Sequence, residues 1–501
     1  MDVIYNLIGG FATCLTPYNV LMSAVGAFIG TMVGILPGLG PSATIAILLP
    51  ITFGMNATPA MIMLTSLYYG AMYGGSTTSI LVNVPGEASS VVTAIEGYQM
   101  ARKGKAGLAL GLSAIGSFFA GIFGMFALAF TASTLAEFSL KFGPSEVFCL
   151  VLMGMFTIIY VGGKDITKSL MSMVIGLGLG CVGTDMVEGR ARFTYGVSEL
   201  LDGIDFVILV MGTFGIAEVL ESAEEFMKIE PMKVKFRELF PSFLEVWKCR
   251  WAMLRGTLIG FGICCIPGSG PTIASFLSYG VEKSVSKHPE RFGTGVPEGV
   301  AGPEASNNAA VCGAMVPMLS LGIPGSGATA VLLGGLILYG LKPGPLLFVE
   351  NADFVWAVIA SMFMGNIILI IMNLPMVPLF ASLLRISYSL IYPAILIVCI
   401  VGAYAVATGL FEVGLMLVFA VCGYFMKKAD IPAAPMLMAL LMGPMLEKNL
   451  YQALNLAHGN VMVFIQRPIS ATLLSIIVLM SIIVGTKRVR KARGAVQEEE
   501  A

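Results

Sequence analysis

Long apolar stretches recur along this 501-residue chain, and most approach the roughly 20 residues that a helix needs to cross a bilayer. Gly107–Ala132, for example, contains no charged side chain. Only 12% of all residues are charged, against roughly 25% in soluble domains, and basic residues (29) do not outnumber acidic ones (30). The pattern predicts an all-α polytopic membrane protein with about 12 transmembrane helices. It excludes a soluble enzyme, a disordered protein and a nucleic-acid-binding protein.

Two polar stretches divide the chain. Residues 221–250 form the longest charged segment, and residues 485–501 form a basic and then acidic tail. The tail directly follows the last apolar stretch, so its basic residues predict a cytoplasmic location by the positive-inside rule. We therefore expect a first transmembrane repeat at 1–220, a cytoplasmic connector at 221–250 and a second transmembrane repeat at 251–484.

Pro-Gly motifs occur in matching places in the two halves. The first half contains ILPGLGP at Ile35–Pro41 and NVPGEA at Asn83–Ala88. The second half contains CIPGSGP at Cys265–Pro271 and GIPGSGA at Gly322–Ala328. Breaks at corresponding positions of two halves are typical of transporters built from repeats. By analogy with other carriers we expect inverted rather than parallel repeats.

Each of these motifs is expected to stop one helix and start another at membrane depth. Proline lacks the N–H of the helical ladder, and glycine adopts backbone conformations closed to other residues. Lipid cannot bind the freed backbone groups, so such a break must be buried or must line a cavity. The new helix N-termini suit a carboxylate, and the free carbonyls suit Na⁺. Kinks made for packing would explain one such motif better than four in paired positions.

Polar side chains are concentrated near these breaks. Tyr68–Asn83 (YYGAMYGGSTTSILVN) places hydroxyls in an apolar segment, and Gly302–Ala310 (GPEASNNAA) adds a carboxylate and two amides. These groups suit a small carboxylate and weakly bound Na⁺, although Ser and Thr also satisfy carbonyls of their own helix. Glu304 and Glu87 each lie beside a break and are candidate cation ligands or proton carriers, with Glu304 favoured, and the alternative for both is a solvated position at the interface. Glu87 is followed by Glu96 and several basic residues, which predicts a surface segment there.

Catalytic and ATP-binding motifs are absent from the sequence. The chain lacks a Ser nucleophile elbow, an HExxH helix and a GxxxxGK[ST] phosphate loop. Its 2 His and 9 Cys show no metal-ligand spacing. We therefore expect no enzyme activity, no metal beyond Na⁺ and no organic cofactor, with Na⁺ or H⁺ as the coupling ion. A channel is the less favoured alternative, because it would need a continuous polar path or rings of charge.

Three motifs together resemble the large membrane (TctA-type) subunit of the tripartite tricarboxylate transporters. They are LPGLGP at Leu36–Pro41, YYGAMYGGSTTSIL at Tyr68–Leu81, and GPEASNNAA followed by LGIPGSG within Gly302–Gly327. The resemblance implies a multi-pass protein of the bacterial inner membrane that imports citrate-like carboxylates by symport. It also implies two partners, a small membrane subunit and a periplasmic solute-binding protein. Dicarboxylates, tartrate and aromatic acids stay open as alternative substrates.

The breaks and the polar segments supply the candidate site residues. The candidate substrate-binding residues are Pro37, Gly38, Leu39, Gly40, Ser42, Ser76, Thr77, Thr78, Asn83, Pro85, Gly86, Pro267, Gly268, Ser269, Gly270, Thr272, Asn307, Asn308, Pro324, Gly325, Ser326 and Gly327. The candidate ligands of the coupling ion are Ser79, Glu304, Ser306 and Asn307. Substrate is expected to bind between the two repeats, near the middle of the bilayer.

Overall fold

A computed structural model describes residues 2–36, 39–161, 165–185, 189–223, 236–383, 388–407 and 409–482, and these are almost entirely α-helical. The helices before the predicted connector are α1 (Asp2–Cys14), α2 (Pro17–Gly34), α3 (Pro41–Leu48), α4 (Ala57–Val82), α5 (Val91–Arg102), α6 (Ala106–Ser139), α7 (Pro144–Val161), α8 (Ile166–Gly180), α9 (Phe206–Val210) and α10 (Ala217–Ser222). The later helices are α11 (Phe243–Cys264), α12 (Gly270–Val285), α13 (Glu298–Leu321), α14 (Gly327–Leu338), α15 (Pro345–Glu350), α16 (Ala352–Leu383), α17 (Tyr388–Ala407), α18 (Leu410–Lys428), α19 (Ala434–Leu456), α20 (Val463–Gln466) and α21 (Pro468–Ile482).

Short elements complete the described chain. A π-helical turn, Met211–Ile216, joins α9 to α10, and an antiparallel ladder pairs β1 (Gly183–Thr184) with β2 (Ala191–Arg192). Single 3₁₀ turns lie at Leu49–Thr52, Ala88–Ser90, Ser198–Leu200, Phe236–Leu239 and Pro289–Arg291. Residues 224–235 of the predicted connector and the predicted tail at 485–501 lie outside the described residues.

Several helices have the length and apolar character of membrane spans. Four described helices meet both criteria over Pro17–Gly34, Ala106–Ser139, Ala352–Val377 and Leu410–Lys428, and shorter apolar helices of 10–17 residues accompany them. α4 and α13 are long but more polar, and nearly all of their side chains are buried inside the protein. Neither therefore presents its polar groups to lipid, which could not bind them. A nearly all-α fold with several apolar helices, as expected of a polytopic membrane protein, is confirmed, whereas the number of spans and the two repeats stay predictions.

The helices form two compact units. The first unit comprises Met1–Leu140 and Asp205–Ala433, and the second comprises Lys141–Ile204 and Ala434–Ala501. All four Pro-Gly motifs belong to the first unit. Within that unit, α2 packs along α4, α11 packs along α13, and α6 and α16 pack against these pairs.

The second unit is a separate bundle in which α19 packs against α7 and α8. Two ion pairs tie distant parts of this unit together. Arg192 binds the Glu447 carboxylate through two nitrogens, at 2.7 and 3.0 Å. Arg467 lies 3.1 Å from Glu146, which follows the proline that begins α7.

Glycines allow the backbones of the paired helices to touch. α2 presents one glycine per turn to α4, namely Gly26, Gly30 and Gly34. A Cβ on Gly30 would lie 2.2 Å from the Leu67 carbonyl oxygen, and one on Gly260 of α11 would lie 2.1 Å from the Ser306 oxygen. A side chain at these positions would force the helices apart. Close contact through small residues is the usual way that transmembrane helices associate, because burial from lipid supplies no hydrophobic driving force.

The Pro-Gly motifs separate two helices at each of their four positions. α2 gives way to α3, α4 to α5, α11 to α12, and α13 to α14. α4 is followed by Asn83 and α13 by Gly322, both in the left-handed conformation that closes a helix (φ 58° and 71°). The next segment then restarts with a reciprocal capping box in each half, between Glu87 and Ser90 and between Ser326 and Thr329. The expected stop and restart is therefore observed.

Glu96 of α5 anchors the loop between α12 and α13. Its carboxylate accepts hydrogen bonds from the backbone N–H groups of Gly293, Gly295 (2.6 Å) and Val296 (2.8 Å). The Tyr279 hydroxyl donates a fourth, at 2.9 Å. The side chain is fully buried, so the prediction of a surface segment is wrong at Glu96. The carboxylate instead supplies the acceptor that this loop's backbone needs.

We expect Glu96→Ala to release this loop. The substitution leaves three backbone N–H groups without their charged acceptor, and one such hydrogen bond is worth about 1.5–3 kcal/mol. Hydrogen–deuterium exchange over residues 289–296 should become faster by roughly tenfold or more. Glu290→Ala removes an exposed carboxylate from the same loop and is the control, which should leave exchange unchanged. Equal exchange in the wild type and Glu96→Ala would contradict the anchoring role.

Candidate functional site

A buried carboxylate, Glu304 of α13, is surrounded by hydroxyl groups from α4, α5 and α6. Ser76 Oγ lies 2.8 Å from both carboxylate oxygens, and Ser113 Oγ donates at 2.9 Å. Thr93 and Ser117 also hydrogen-bond the carboxylate. Among the residues that the structure describes, no Lys or Arg pairs with it. Such a group can hold a proton, or can bind a cation together with the hydroxyl oxygens.

A second carboxylate, Glu87, joins α13 to the Pro-Gly break at Asn83–Ala88, in the first half. Asn307 Nδ2 donates to Glu87 Oε1 at 3.0 Å, and Ser89 Oγ donates to Asn307 Oδ1 at 2.8 Å. Ser89 also contacts the Glu87 carboxylate. All three side chains are at least nine-tenths buried. The prediction of a surface segment is therefore also wrong at Glu87, because the break folds back into the protein.

A corresponding contact joins α4 to the Pro-Gly break at Gly322–Ala328, in the second half. The Tyr68 hydroxyl lies 3.2 Å from Ser326 Oγ, and Ser326 caps α14 by accepting a hydrogen bond from the Thr329 N–H at 3.2 Å. All three side chains are buried. The long buried helices α13 and α4 thus each contact an N-cap residue that follows a break in the other half of the chain.

The three hydroxyls that follow Ser76 have other partners. Thr77 and Thr78 donate to backbone carbonyls of their own helix, at 3.4 and 3.0 Å. Hydroxyl side chains commonly bind carbonyls of their own helix in this way, so these two hydrogen bonds need no ligand to explain them. Ser79 donates to Ser90 Oγ at 2.9 Å, within the break, rather than to the buried carboxylate. Among these four predicted residues, Ser76 is the one that reaches Glu304.

The first break of the first half leads into α3. Two candidate residues of this break, Pro37 and Gly38, lie outside the described residues. Leu39 is buried, and Gly40 is the N-cap of α3, which has no side-chain cap. Ser42 lies in the first turn of α3, where its Oγ is 3.0 Å from the position of a Cβ on Gly327. The N-termini of α3 and α14 are therefore neighbours.

The first break of the second half leads into α12. Gly270, the first residue of α12, donates its backbone N–H to the Gly325 carbonyl at 3.3 Å. Ser269 is the N-cap, and its hydroxyl donates to the Ile266 carbonyl at 2.9 Å.

Gly86 lies against α2, since a Cβ there would be 2.2 Å from the Gly34 carbonyl oxygen. The other candidates lie in the break loops or the first turn of α12: Asn83, Pro85, Pro267, Gly268, Thr272 and Pro324.

Two buried side-chain oxygens of α13 have no hydrogen-bond partner among the described residues. They are Asn308 Oδ1 and Ser306 Oγ. The Asn308 amide nitrogen donates to Ser117 Oγ at 2.6 Å and to the Glu304 carbonyl at 3.2 Å. Asn308 lies one helical turn after Glu304, so its Oδ1 is a free acceptor position on the same face of α13. No group of three or more His, Cys, Asp or Glu side chains comes together in the described part of the chain.

The structure adds site residues that sequence analysis missed. The added side chains are Tyr68, Ser89, Ser90, Thr93, Ser113 and Ser117. Spacing was the available signal: Ser113 and Ser117 stand one helical turn apart in a stretch that is otherwise apolar. Ser89 and Thr93 repeat that spacing directly after a break.

A match to a known family agrees with this arrangement. Residues 20–438 match the model described as the tripartite tricarboxylate transporter TctA family. The chain belongs to this family. TctA proteins are membrane components of tripartite transporters, so membership makes this chain a multi-pass transport protein and implies partner subunits.

Two relatives come from Agrobacterium vitis. The chain is 43% identical over 500 residues to the uncharacterized 52.8 kDa protein in the TAR-I ttuC′ 3′ region, with 100% of both chains covered. It is 38% identical over 245 residues to the uncharacterized protein in the TAR-II ttuC′ 3′ region, which covers 49% of this chain and 100% of that one. No solved structure matches this chain.

Proposed function

We propose that this chain is the substrate-translocating subunit of a binding-protein-dependent secondary transporter. It imports citrate-like tricarboxylates or related carboxylates across the bacterial inner membrane by Na⁺ or H⁺ symport. A small membrane subunit and a periplasmic solute-binding protein are its partners. The observation that carries the proposal is the pair of cross-contacts, Asn307 with Glu87 and Tyr68 with Ser326.

The cross-contacts have the spacing expected of two repeats. The contacting residues on the long helices differ by 307 − 68 = 239 positions, and the N-caps that they contact differ by 326 − 87 = 239 positions. Each half therefore contributes a long helix and a break from equivalent places. Two repeats that exchange equivalent contacts in this way enclose a shared site between them.

The glycine contacts follow the same relation. Gly26 and Gly30 of α2 are matched by Gly256 and Gly260 of α11, at an interval of 256 − 26 = 230 and 260 − 30 = 230. The residues that these glycines contact on α4 and α13 are again 239 positions apart. Met63 of α4 corresponds to Gly302 of α13, and Leu67 corresponds to Ser306. The repetition of these backbone contacts supports the proposal that the two halves are structural repeats.

The direction of the long helices favours inverted repeats. Ser76 of α4 contacts Glu304 of α13, whereas Tyr69, two turns earlier, contacts Cys312, two turns later. α4 and α13 therefore run antiparallel. Equivalent helices that run in opposite directions are related by an axis in the plane of the membrane, which is the arrangement of many alternating-access carriers.

The substrate carboxylates are proposed to bind at the helix N-termini that the breaks create. α3 has no side-chain cap, and Ser42 in its first turn is next to Gly327 of α14. The hydrogen bond between Gly270 and Gly325 brings the N-terminus of α12 to the same break. Uncapped N–H groups and the positive end of the helix dipole favour an anion at such a place.

The coupling ion is proposed to bind at Glu304. A proton would reside on the carboxylate itself, whereas Na⁺ would be bound by the carboxylate and the neighbouring hydroxyl oxygens. Ser76 and Ser113 contribute hydroxyls to either arrangement, and Asn308 contributes an unpartnered oxygen. Neutralisation of Glu304 by either ion would remove an otherwise uncompensated buried charge.

Uptake of labelled citrate into vesicles tests the proposal. Vesicles containing this chain and its small subunit are assayed with and without the binding protein, and with Na⁺ replaced by choline. Concentrative uptake that requires the binding protein is expected, and a loss of uptake in choline identifies Na⁺ as the coupling ion. Collapse by a protonophore identifies H⁺ instead. Non-concentrative flux would favour a channel, and other carboxylates are assayed if citrate is not taken up.

We expect Asn307→Ala to impair uptake while the protein still inserts. The substitution removes the hydrogen bond to Glu87, which is worth about 1.5–3 kcal/mol when the acceptor is charged, so uptake should fall roughly tenfold or more. Asn373→Ala is the matched control, since Asn373 is a buried amide of the same unit whose Nδ2 has no partner among the described residues. Wild-type uptake by Asn307→Ala at normal protein levels would remove Asn307 from the site.

A further inference from the structure

A cavity of about 710 Å³ lies at the end of α13 opposite its break. Its walls are the C-terminal ends of α5 and α12, the first turns of α6 and α11, and the loop that Glu96 anchors. Basic side chains outnumber acidic ones in the lining. The basic residues are Lys103, Lys105, Lys248, Arg255 and Arg291, and the acidic residues are Glu245, Glu282 and Glu298.

Some of these charges already have partners within the protein. Arg255 binds the Glu282 carboxylate through two nitrogens, each at 2.7 Å, and Lys103 donates to the Thr294 carbonyl. Lys105 and Lys248 are exposed. Both lysines lie near Glu245, whose carboxylate accepts hydrogen bonds from the N–H and hydroxyl of Ser242, the N-cap of its own helix.

Helix α11, which lines one wall of the cavity, carries side chains typical of a membrane–water interface. Trp247 and Trp251 of α11 are both about half exposed, and the Arg250 guanidinium lies 4.5 and 5.7 Å from the two ring centroids. Tryptophan is enriched where lipid headgroups meet water. Leu254 and Leu258 are also exposed and continue from Trp251 at intervals of three and four residues, so they form one apolar stripe along α11. Trp251 lines the cavity, so the cavity and the stripe share this residue.

The basic residues of the cavity that lie on α11 and in the loop between α12 and α13 are not repeated in the first half of the chain. Under the repeat relation proposed above, residues 243–255 of α11 correspond to residues 13–25, because the interval is 230. Residues 13–25 contain no charged side chain, and neither do residues 49–56 in the loop between α3 and α4. The charges of α11 and of the loop between α12 and α13 therefore have no counterparts in the first half.

We propose that this cavity binds the phosphate headgroup of an anionic phospholipid. Lys105 and Lys248 contact the phosphate, and the acyl chains lie along the stripe from Trp251 to Leu258. Basic pockets between transmembrane helices are known to bind such headgroups, and the flexible lysine stems reach the headgroup layer from partly apolar walls. A soluble anion would use the lysines alone and would gain nothing from the stripe.

The test measures lipid binding to the purified complete chain by native mass spectrometry and by the shift of its thermal midpoint. The probes are phosphatidylglycerol, zwitterionic phosphatidylethanolamine, and inorganic phosphate without a lipid. Phosphatidylglycerol is expected to bind most tightly. The double variant Lys105→Gln/Lys248→Gln should bind it roughly thirtyfold more weakly, because each lysine near a headgroup contributes about a factor of five to six.

The matched control is Lys283→Gln/Lys287→Gln, which removes two exposed lysines that do not line the cavity. It should bind phosphatidylglycerol as the wild type does. Unaltered midpoints without lipid show that both double variants are folded. Equal affinity for phosphatidylethanolamine, binding of inorganic phosphate as tight as that of the lipid, or equal losses in the two double variants would each overturn the proposal.

Discussion

Replacing Gly260 with alanine is expected to destabilise the protein strongly, although the change adds one methyl group. The new Cβ would lie 2.1 Å from the Ser306 carbonyl oxygen of α13, and a backbone atom cannot rotate away as a flexible side chain can. α11 and α13 must separate to admit it. Overpacking of a tight core costs about 1–3 kcal/mol and more where the backbone must shift, so the thermal midpoint should fall by several degrees.

Gly262→Ala is the control for this prediction, because it makes the same change on the same helix. A Cβ on Gly262 meets no atom within 4 Å, and the residue is exposed. Alanine is a better helix former than glycine, so this variant should be as stable as the wild type or slightly more stable. Similar midpoints for the two variants would show that α11 and α13 do not pack through Gly260 as described.

The equivalent glycine of the other half sharpens the same test. Gly30→Ala would place a Cβ 2.2 Å from the Leu67 carbonyl oxygen, so its loss of stability should resemble that of Gly260→Ala. Equal losses at two positions 230 residues apart would agree with the proposed repeats. A large loss at one position and none at the other would show that the two helix pairs are packed differently.

The sequence predicted the helical membrane fold because apolar length and scarcity of charge act locally and leave few alternatives. Pro-Gly motifs likewise predicted where helices stop, since proline and glycine act on the backbone of their own turn. Ser76 and Glu304 were identified as candidates because a polar group inside an apolar run needs a partner. These two residues are each other's partners although they are 228 positions apart in sequence, and no local pattern reveals such a contact.

Glu87 and Glu96 show why the remainder was not predictable. Both precede a run of basic residues, and by composition alone this segment resembles a surface loop. The chain instead folds back after Asn83, which buries the Glu87 carboxylate against a donor from α13 and the Glu96 carboxylate against N–H groups of the loop before α13. Burial of a charge is decided by whether the fold supplies enough donors, and that is a property of tertiary structure.

Glu304→Gln is expected to abolish most net uptake while leaving substrate exchange intact. The amide has nearly the shape of the carboxylate, and Ser76 and Ser113 can turn their hydroxyls to suit it, so folding should survive. The amide cannot carry a proton, and it lacks the charge that binds Na⁺. Loss of a charged contact worth about 1.5–3 kcal/mol predicts a fall in concentrative uptake of roughly ten- to a hundredfold.

The distinction between net uptake and exchange separates coupling from structure. In exchange of internal for external substrate, the coupling ion need never leave its site, so a group that only carries the ion becomes dispensable. Glu218→Gln is the control, because it neutralises another largely buried carboxylate whose partner Lys427 keeps its 2.7 Å contact with Glu221. This control should retain both activities. A parallel fall of uptake and exchange in Glu304→Gln would instead assign Glu304 to holding α4, α5 and α6 around α13, and the coupling ion would need another site.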